Sequence, residues 1–348
     1  MDQFELVIVG GGLTAARAIK SYRDAGGSGT IALLAQERTL PYHRPPLSKA
    51  FMRGESDADA LAEQEGFYRE HGVEVLLGTT VTAVSPRERS VNTGTRLCRY
   101  QKLLLAPGSR PRRLEVPGSD LAGVFSLRTR DDARAIRAAA GEGRDAVVVG
   151  GGFIGLEVAS SLRQRGVETA LLHRATGLFQ LLDAPELERE LAALVRAKGV
   201  ELILGDEVAE FGGSGGHVDS VVTKTGRILP TDLVVVGVGV DPVVDFLAGS
   251  GIELANGIVV DERFETNIPG IFAAGDVANF PDPLYGRRRR IEHWSNANYA
   301  GHQVGQTLAG VDASYSTVSS FFTQTFGLTI KVLGDHTGSD ELVTRGSL

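Results

Sequence analysis

The chain has 348 residues, 44 of them glycine, with one cysteine and a net charge of −7. The lone cysteine excludes an intrachain disulfide, a Cys-x-x-Cys redox centre and a cysteine-based zinc site, so no metal is expected, and the mildly acidic balance argues against nucleic acid or an anionic membrane as the main partner. The length fits two to three domains; with 42% apolar and 23% charged residues the glycines belong at definite turns rather than in a disordered or collagen-like chain.

The N-terminus, Met1 to Glu5, enters a strand-like run without a basic region and long apolar stretch, so no secretory signal is expected. No apolar run approaches the 18 residues of a membrane span, and the setting is expected to be cytoplasmic. A β-branched strand at residues 6–9 is followed by Gly10-Gly11-Gly12-Leu13-Thr14-Ala15, a helical segment at 16–25 and a second strand at 30–34. The same order returns as a strand at 146–149, Gly150-Gly151-Gly152-Phe153-Ile154-Gly155, a helix at 156–165 and a strand at 169–172. This is the βαβ unit twice over.

In each copy the first glycine (Gly10, Gly150) permits a tight strand-to-helix turn. The second (Gly12, Gly152) lets the backbone approach a pyrophosphate, which rests on the helix N-terminus. The third place, Ala15 in one copy and Gly155 in the other, lets helix and strand pack closely. Two such units point to two dinucleotides and to electron transfer between them. Farther on, residues 183–199 read as a helix, with Pro185 near its start and Gly199 at its end. Residues 200–204 and 233–238 read as strands, and the glycine cluster at 212–216 as an exposed turn.

Several single residues carry two readings each. Arg44 and Lys49 lie in a stretch held extended by prolines and, taken alone, form surface ion pairs. Glu157 near a helix start is favoured by the macrodipole. Asp276, after a strand, either caps the next helix or accepts hydrogen bonds from hydroxyls. Arg287 to Arg290 form a basic island that is either a solvated loop or a docking surface for an acidic partner. Trp294, the single tryptophan, is either core or a flat partner for a ring.

Three motifs together carry a family resemblance: Leu-Pro-Tyr-His-Arg-Pro-Pro-Leu-Ser-Lys from Leu40, Gly-Gly-Phe-Ile-Gly-Leu-Glu at 151–157, and Ile-Phe-Ala-Ala-Gly-Asp-Val at 271–277. The chain resembles the FAD-dependent ferredoxin reductases of oxygenase and P450 systems, in the two-dinucleotide-fold flavoprotein superfamily that also holds apoptosis-inducing factor and glutathione reductase. The resemblance runs over nearly the whole chain. It implies an α/β fold with two Rossmann-like dinucleotide-binding domains and a short α+β C-terminal domain. The FAD domain would comprise residues 1–111 and 247–318, with an NAD(P)H-binding domain at 112–246 inserted in it. Residues 319–348 would form the C-terminal domain, about half its usual size because relatives continue beyond Asp340-Glu341-Leu342-Val343.

For FAD the resemblance implies Gly10, Gly12, Ala15, Glu37, Arg44, Lys49, Val81 through its backbone, Arg128, Asp276 at the ribityl chain, and His293 and Trp294 beside the isoalloxazine. Without that resemblance Val81 reads as a core strand residue. Lys49 and Glu157 would pair at flavin N5. For NAD(P)H it implies Gly150, Gly152, Ile154, Gly155, His173, Arg174, Gly239 and Glu292. An acid commonly follows the second strand of such a unit and binds the ribose. Gln36-Glu37 leaves Glu37 to do so in the first copy, whereas His173-Arg174 in the second favours a 2′-phosphate and therefore NADPH over NADH. Pro107 replaces a family threonine, and Phe322 an aromatic that covers the nicotinamide. The implied reaction passes hydride from NAD(P)H to FAD and then single electrons to a ferredoxin, an iron–sulfur carrier serving an oxygenase or P450. No cysteine stands near Tyr42-His43-Arg44, where cysteine-using relatives carry theirs. The chain would act as a monomer or homodimer. The alternatives are a redox-sensing interaction protein like apoptosis-inducing factor, or a reductase serving rubredoxin, nitrite reductase or a quinone.

Overall fold

A computed structural model describes residues 2–56, 60–182, 184–335, 343 and 345. The chain divides into two units, the first formed by Met1–His43, Asp59–Arg110 and Asp241–Phe321, the second by Arg44–Ala58, Pro111–Val240 and Phe322–Leu348.

The first unit is built on a seven-stranded sheet. Strands Val73–Leu77, Ile31–Ala35, Asp2–Val9 and Leu97–Leu105 run parallel in that spatial order, and Ile271–Ala273 pairs with the end of Leu97–Leu105. Two short antiparallel strands, Ser90–Asn92 and Ala83–Ser85, complete it. Every residue of Ile31–Ala35 is buried, the continuous apolar run expected of a parallel strand covered on both faces. Helix Leu13–Asp24 packs against helix Trp294–Leu308, and two glycines allow the approach: a Cβ on Gly301 would stand 2.6 Å from the Thr14 carbonyl oxygen and one on Gly305 2.5 Å from that of Ala18.

The second unit repeats the plan with five parallel strands in the order Glu201–Leu204, Glu168–His173, Asp145–Val149, Leu233–Val236 and Val124–Ser126. An antiparallel sheet of Val208–Ser214, His217–Thr223 and Ile228–Pro230 belongs to it. Helix Arg130–Ala139 opens on a capping box, in which Thr129 accepts from the Asp132 N–H and the Asp132 carboxylate accepts from the Thr129 N–H. The architecture is the expected mixed α/β fold with two Rossmann-like sheets.

Local boundaries differ in instructive ways. Both motif helices begin three residues earlier than their apolar patterns imply, at Leu13 and Phe153. Their N-caps are Gly12 and Gly152, which have no side chain to announce a helix start. Gly212 and Gly213 lie in strand Val208–Ser214, leaving the turn to Gly215 and Gly216, both with positive φ. The predicted helix at 183–199 spans Pro185–Ala197, and Asp183 lies outside the described residues. At the C-terminus the described part is the hairpin of Ser320–Thr325 and Leu328–Leu333; Asp340, Glu341 and Leu342 lie outside the described residues.

Candidate functional site

In each parallel sheet the strand order reverses beside the strand that carries the glycine motif, which is where ligands settle in open α/β folds. The two reversals are built alike. Gly10 N–H donates to Leu34 and Ala106 N–H to Val9, at 2.9 and 2.8 Å; Gly150 N–H donates to Leu172 and Gly237 N–H to Val149, at 2.8 and 2.7 Å. Gly10 has φ +119° and a Cβ there would fall 2.0 Å from the Ala106 carbonyl oxygen; Gly150 has φ +111° and its Cβ would fall 2.2 Å from that of Gly237. Neither position admits another residue.

Gly12 and Gly152 present the opposite case: a Cβ on either would meet nothing within 4 Å. The helices that follow have no side-chain cap and no acidic residue in the first turn. Their leading N–H groups and positive dipole ends are therefore left for an anion in that open space. The residues present fit a dinucleotide pyrophosphate at each motif. The third places differ: Ala15 is fully buried, whereas a Cβ on Gly155 would lie 1.8 Å from the Gly150 carbonyl oxygen.

Around the first motif, Tyr42 donates its hydroxyl to the Glu37 carboxylate at 2.7 Å. Val81 is buried in the core of the unit. Asp276 accepts from the Ser109 hydroxyl at 3.1 Å, and a Cβ on the preceding Gly275 would strike the Thr14 hydroxyl at 2.4 Å, so Gly275 makes room for Thr14. His293 occupies the N-cap position of helix Trp294–Leu308 without a side-chain capping bond, and its ring lies 4.3 Å from that of Phe321. Trp294 is 41% exposed, which excludes a core role. Its indole N–H donates to Nδ1 of His43 at 3.0 Å. Burial lowers the His43 pKa, the Arg17 charge adds to that, and Glu63 opposes it. Glu292 belongs to this unit as well, and Arg290 engages its carboxylate.

Around the second motif, Ile154 is largely exposed, and Gly239 has φ +108° and accepts the Arg112 N–H at 2.9 Å. His173 Nδ1 accepts the N–H of Gly151 at 3.1 Å, tying the end of its strand to the glycine loop. Burial lowers its pKa, helped by the neighbouring Arg174. The Arg174 side chain is exposed. Arg44 and Arg128 are joined, the Arg44 guanidinium donating to the Arg128 carbonyl.

Lys49 Nζ lies 2.6 Å from Glu157 Oε2, the side chains 11% and 3% exposed. Glu157 stands beyond the first turn of helix Phe153–Gln164, so the macrodipole does not explain it. A charge pair this buried is tolerable only when its remaining lone pairs are used, and they are: the Ser48 hydroxyl donates to Oε2 at 2.5 Å and the Thr323 hydroxyl to Oε1 at 2.7 Å. Sequence reasoning missed Ser48, Thr323 and His43. Ser48 adjoins a named lysine and was within reach of inspection, but nothing local links Thr323 to Glu157.

The basic island is mostly spent on the fold. Arg288 donates to the Val260 and Asn279 carbonyls, Arg289 pairs with the fully buried Asp282 at 2.9 Å, and Arg290 engages Glu292 and the Asp276 carbonyl. Arg287 is exposed. Cys98 is buried at the far end of strand Leu97–Leu105 from the Gly10 motif, opposite Asp2, and burial pushes its thiol pKa up. Among the described residues no helix is long and apolar enough to cross a membrane.

Comparison with known proteins gives a consistent picture. Residues 4–301 match the model of the family described as pyridine nucleotide-disulphide oxidoreductase. The chain is 36% identical to a probable ferredoxin reductase, CtmF, of Castellaniella defragrans over 98% of its length and 84% of the relative's. It is 35% identical to human apoptosis-inducing factor 3 over 99% of its length, spanning 57% of that longer protein. The crystal structure of the covalent putidaredoxin reductase–putidaredoxin complex matches with a TM-score of 0.95 at 32% identity, over 99% of this chain and 84% of the other.

Proposed function

The chain belongs to the pyridine nucleotide-disulphide oxidoreductase family, and from that premise we propose that it is a ferredoxin reductase holding FAD at the Gly10 motif and NAD(P)H at the Gly150 motif. FAD, when bound, supplies hydride uptake from the nicotinamide and release of electrons one at a time. The observation that carries the reading is the duplicated glycine cradle in a chain whose one cysteine, Cys98, is buried and far along its strand from the cradle. Disulfide chemistry has no cysteine pair to use, so the electrons go to an external carrier. A ferredoxin-type iron–sulfur protein, feeding an oxygenase or P450, suits this best.

The chain's own residues bind and orient. Gly12 and Gly152 open their helix N-termini to the two pyrophosphates. Glu37 serves the adenosine ribose of FAD, with Val81 at the adenine, Arg44, Arg128, His293 and Trp294 around the flavin and Asp276 at the ribityl chain. Lys49, held by Glu157, supplies a fixed ammonium beside the flavin. Ile154, Gly155, Gly239 and Glu292 complete the NAD(P)H side. The exposed Arg174, with His173 engaged by the glycine loop, favours the 2′-phosphate and hence NADPH.

An anaerobic titration tests this. Purified protein should be yellow, bleach with NADPH more readily than with NADH, and recover its colour on addition of an oxidised [2Fe–2S] ferredoxin. A colourless protein, or a reduced flavin that a rubredoxin or quinone reoxidises while ferredoxins do not, would overturn it. The similarity to apoptosis-inducing factor 3 supports a second reading, a redox-dependent interaction protein, whose mark is slow turnover with every carrier.

A further inference from the structure

Helix Phe153–Gln164 carries Glu157, Ser160 and Ser161 at i, i+3 and i+4, hence on one face. All three are at least 97% buried, and together they tie two stretches of the second unit to the helix, the segment around Ser48 and the C-terminal hairpin. The Ser161 hydroxyl donates to the Ser48 carbonyl at 2.7 Å. Ser160 Oγ accepts the Phe326 N–H, in the turn of the C-terminal hairpin, at 2.8 Å. Glu157 lies between them and takes Ser48 and Lys49 on Oε2 and Thr323 on Oε1. Beside Thr323, the Phe322 ring lies 6.0 Å from Lys49 Nζ.

We propose that Thr323 and Ser48 are positioning residues for Lys49, acting through Glu157. The inference rests on the flavoprotein reading above. A carboxylate bonded on one oxygen alone can swing about its last torsion, whereas hydroxyls on both oxygens fix its plane. Lys49 follows Glu157, since its ammonium is bonded to that carboxylate and to the Pro45 carbonyl at 3.3 Å. Hydrogen bonds to a charged acceptor in a buried site are strong and directional, so losing the Thr323 hydroxyl moves the ammonium rather than merely loosening the hairpin. Thr323 and Phe322 are neighbours on one strand, so the hairpin fixes the lysine by a hydrogen-bonded route and faces it with an aromatic ring.

The test uses flavin-loaded full-length protein and anaerobic stopped-flow reduction by NADPH. Thr323→Val keeps the shape and removes the donor; flavin reduction should slow by about tenfold, the loss of one hydrogen bond to a charged group. NADPH binding should stay within about twofold, the two flavin absorbance bands should shift, and Thr323→Ser should restore rate and spectrum. In a Lys49→Met background Thr323→Val should have no further effect on the rate, since the group it positions is gone. Ser48→Ala gives a second reading of the same effect if the valine variant does not fold. Wild-type rate and spectrum in Thr323→Val, a serine variant as slow as the valine one, or additive losses in the Lys49→Met background would overturn the inference. Wild-type protein that neither NADPH nor NADH reduces would overturn the flavoprotein reading itself.

Discussion

The indole N–H of Trp294 donates to Nδ1 of His43 at 3.0 Å, across 251 residues of sequence. The bond requires a neutral imidazole, and burial together with the Arg17 charge lowers the His43 pKa below its ordinary 6.5. A depressed histidine contributes stability that is present above the unfolded value and is lost as pH falls through the folded one. Trp294 is the only tryptophan, so fluorescence excited selectively at tryptophan reports this residue, and His43→Ala isolates the contribution of the contact. Emission should change in a single step centred below pH 6.5, and His43→Ala should abolish the step. A midpoint above 6.5 would contradict the lowered pKa.

The glycines at the two motifs divide into positions closed off by backbone and positions that face open space, and alanine substitution should separate them. Gly10→Ala and Gly150→Ala place a methyl onto a carbonyl oxygen at positive φ and should cost about 2–4 kcal/mol of stability, visible as a lowered melting temperature. Gly12→Ala and Gly152→Ala meet open space. Their melting temperatures without nucleotide should stay near wild type, while Gly12→Ala loses FAD and Gly152→Ala raises the KM for NAD(P)H about tenfold or more. Equal destabilisation in all four variants would refute the division.

Coenzyme choice should follow Arg174. Wild-type kcat/KM should favour NADPH, and Arg174→Glu should reverse the preference by repelling the 2′-phosphate, a change of about tenfold to a hundredfold in the ratio. His173→Ala removes the acceptor for the Gly151 N–H and should weaken both nucleotides alike. A wild-type preference for NADH would count against this assignment.

Within the basic island, charge reversal should separate folding from docking. Arg289→Glu leaves the fully buried Asp282 unpaired and should destabilise the protein by about 3–5 kcal/mol, measurable by denaturant unfolding. Arg287→Glu, at an exposed position, should cost much less stability than Arg289→Glu. If the ferredoxin KM rises in Arg287→Glu with unchanged stability, the island has a docking role; an unchanged KM assigns it to the fold.

Much of the fold was legible because βαβ units are local objects: a β-branched run, a glycine turn and an amphipathic segment fall within about 30 residues, and their physics is short-ranged. Helix starts were missed where a glycine cap has no side chain to read. The close packing of helices Leu13–Asp24 and Trp294–Leu308 through Gly301 and Gly305 was missed because nothing local distinguishes a helix glycine that meets a neighbour from one that does not. The basic island read as a charged surface because sequence shows charges but not their partners, and Asp282 beside Arg289 became evident only once strands Ala278–Asp282 and Arg287–Arg289 were paired.

By itself the sequence determined that a glycine motif recurs in two βαβ patterns, because strand, turn and helix signals are local, and with one cysteine it ruled out a cysteine-pair chemistry within the chain. Tertiary structure alone decided which polar side chains meet. Ser48, Glu157 and Thr323 lie 109 and 166 residues apart along the chain, and their contact depends on how a helix, a hairpin and the proline segment pack, the last being the 3-10 helix Pro45–Ser48 rather than the extended stretch its prolines imply. The bonds between them are short-ranged in space and leave no periodicity in the sequence to read.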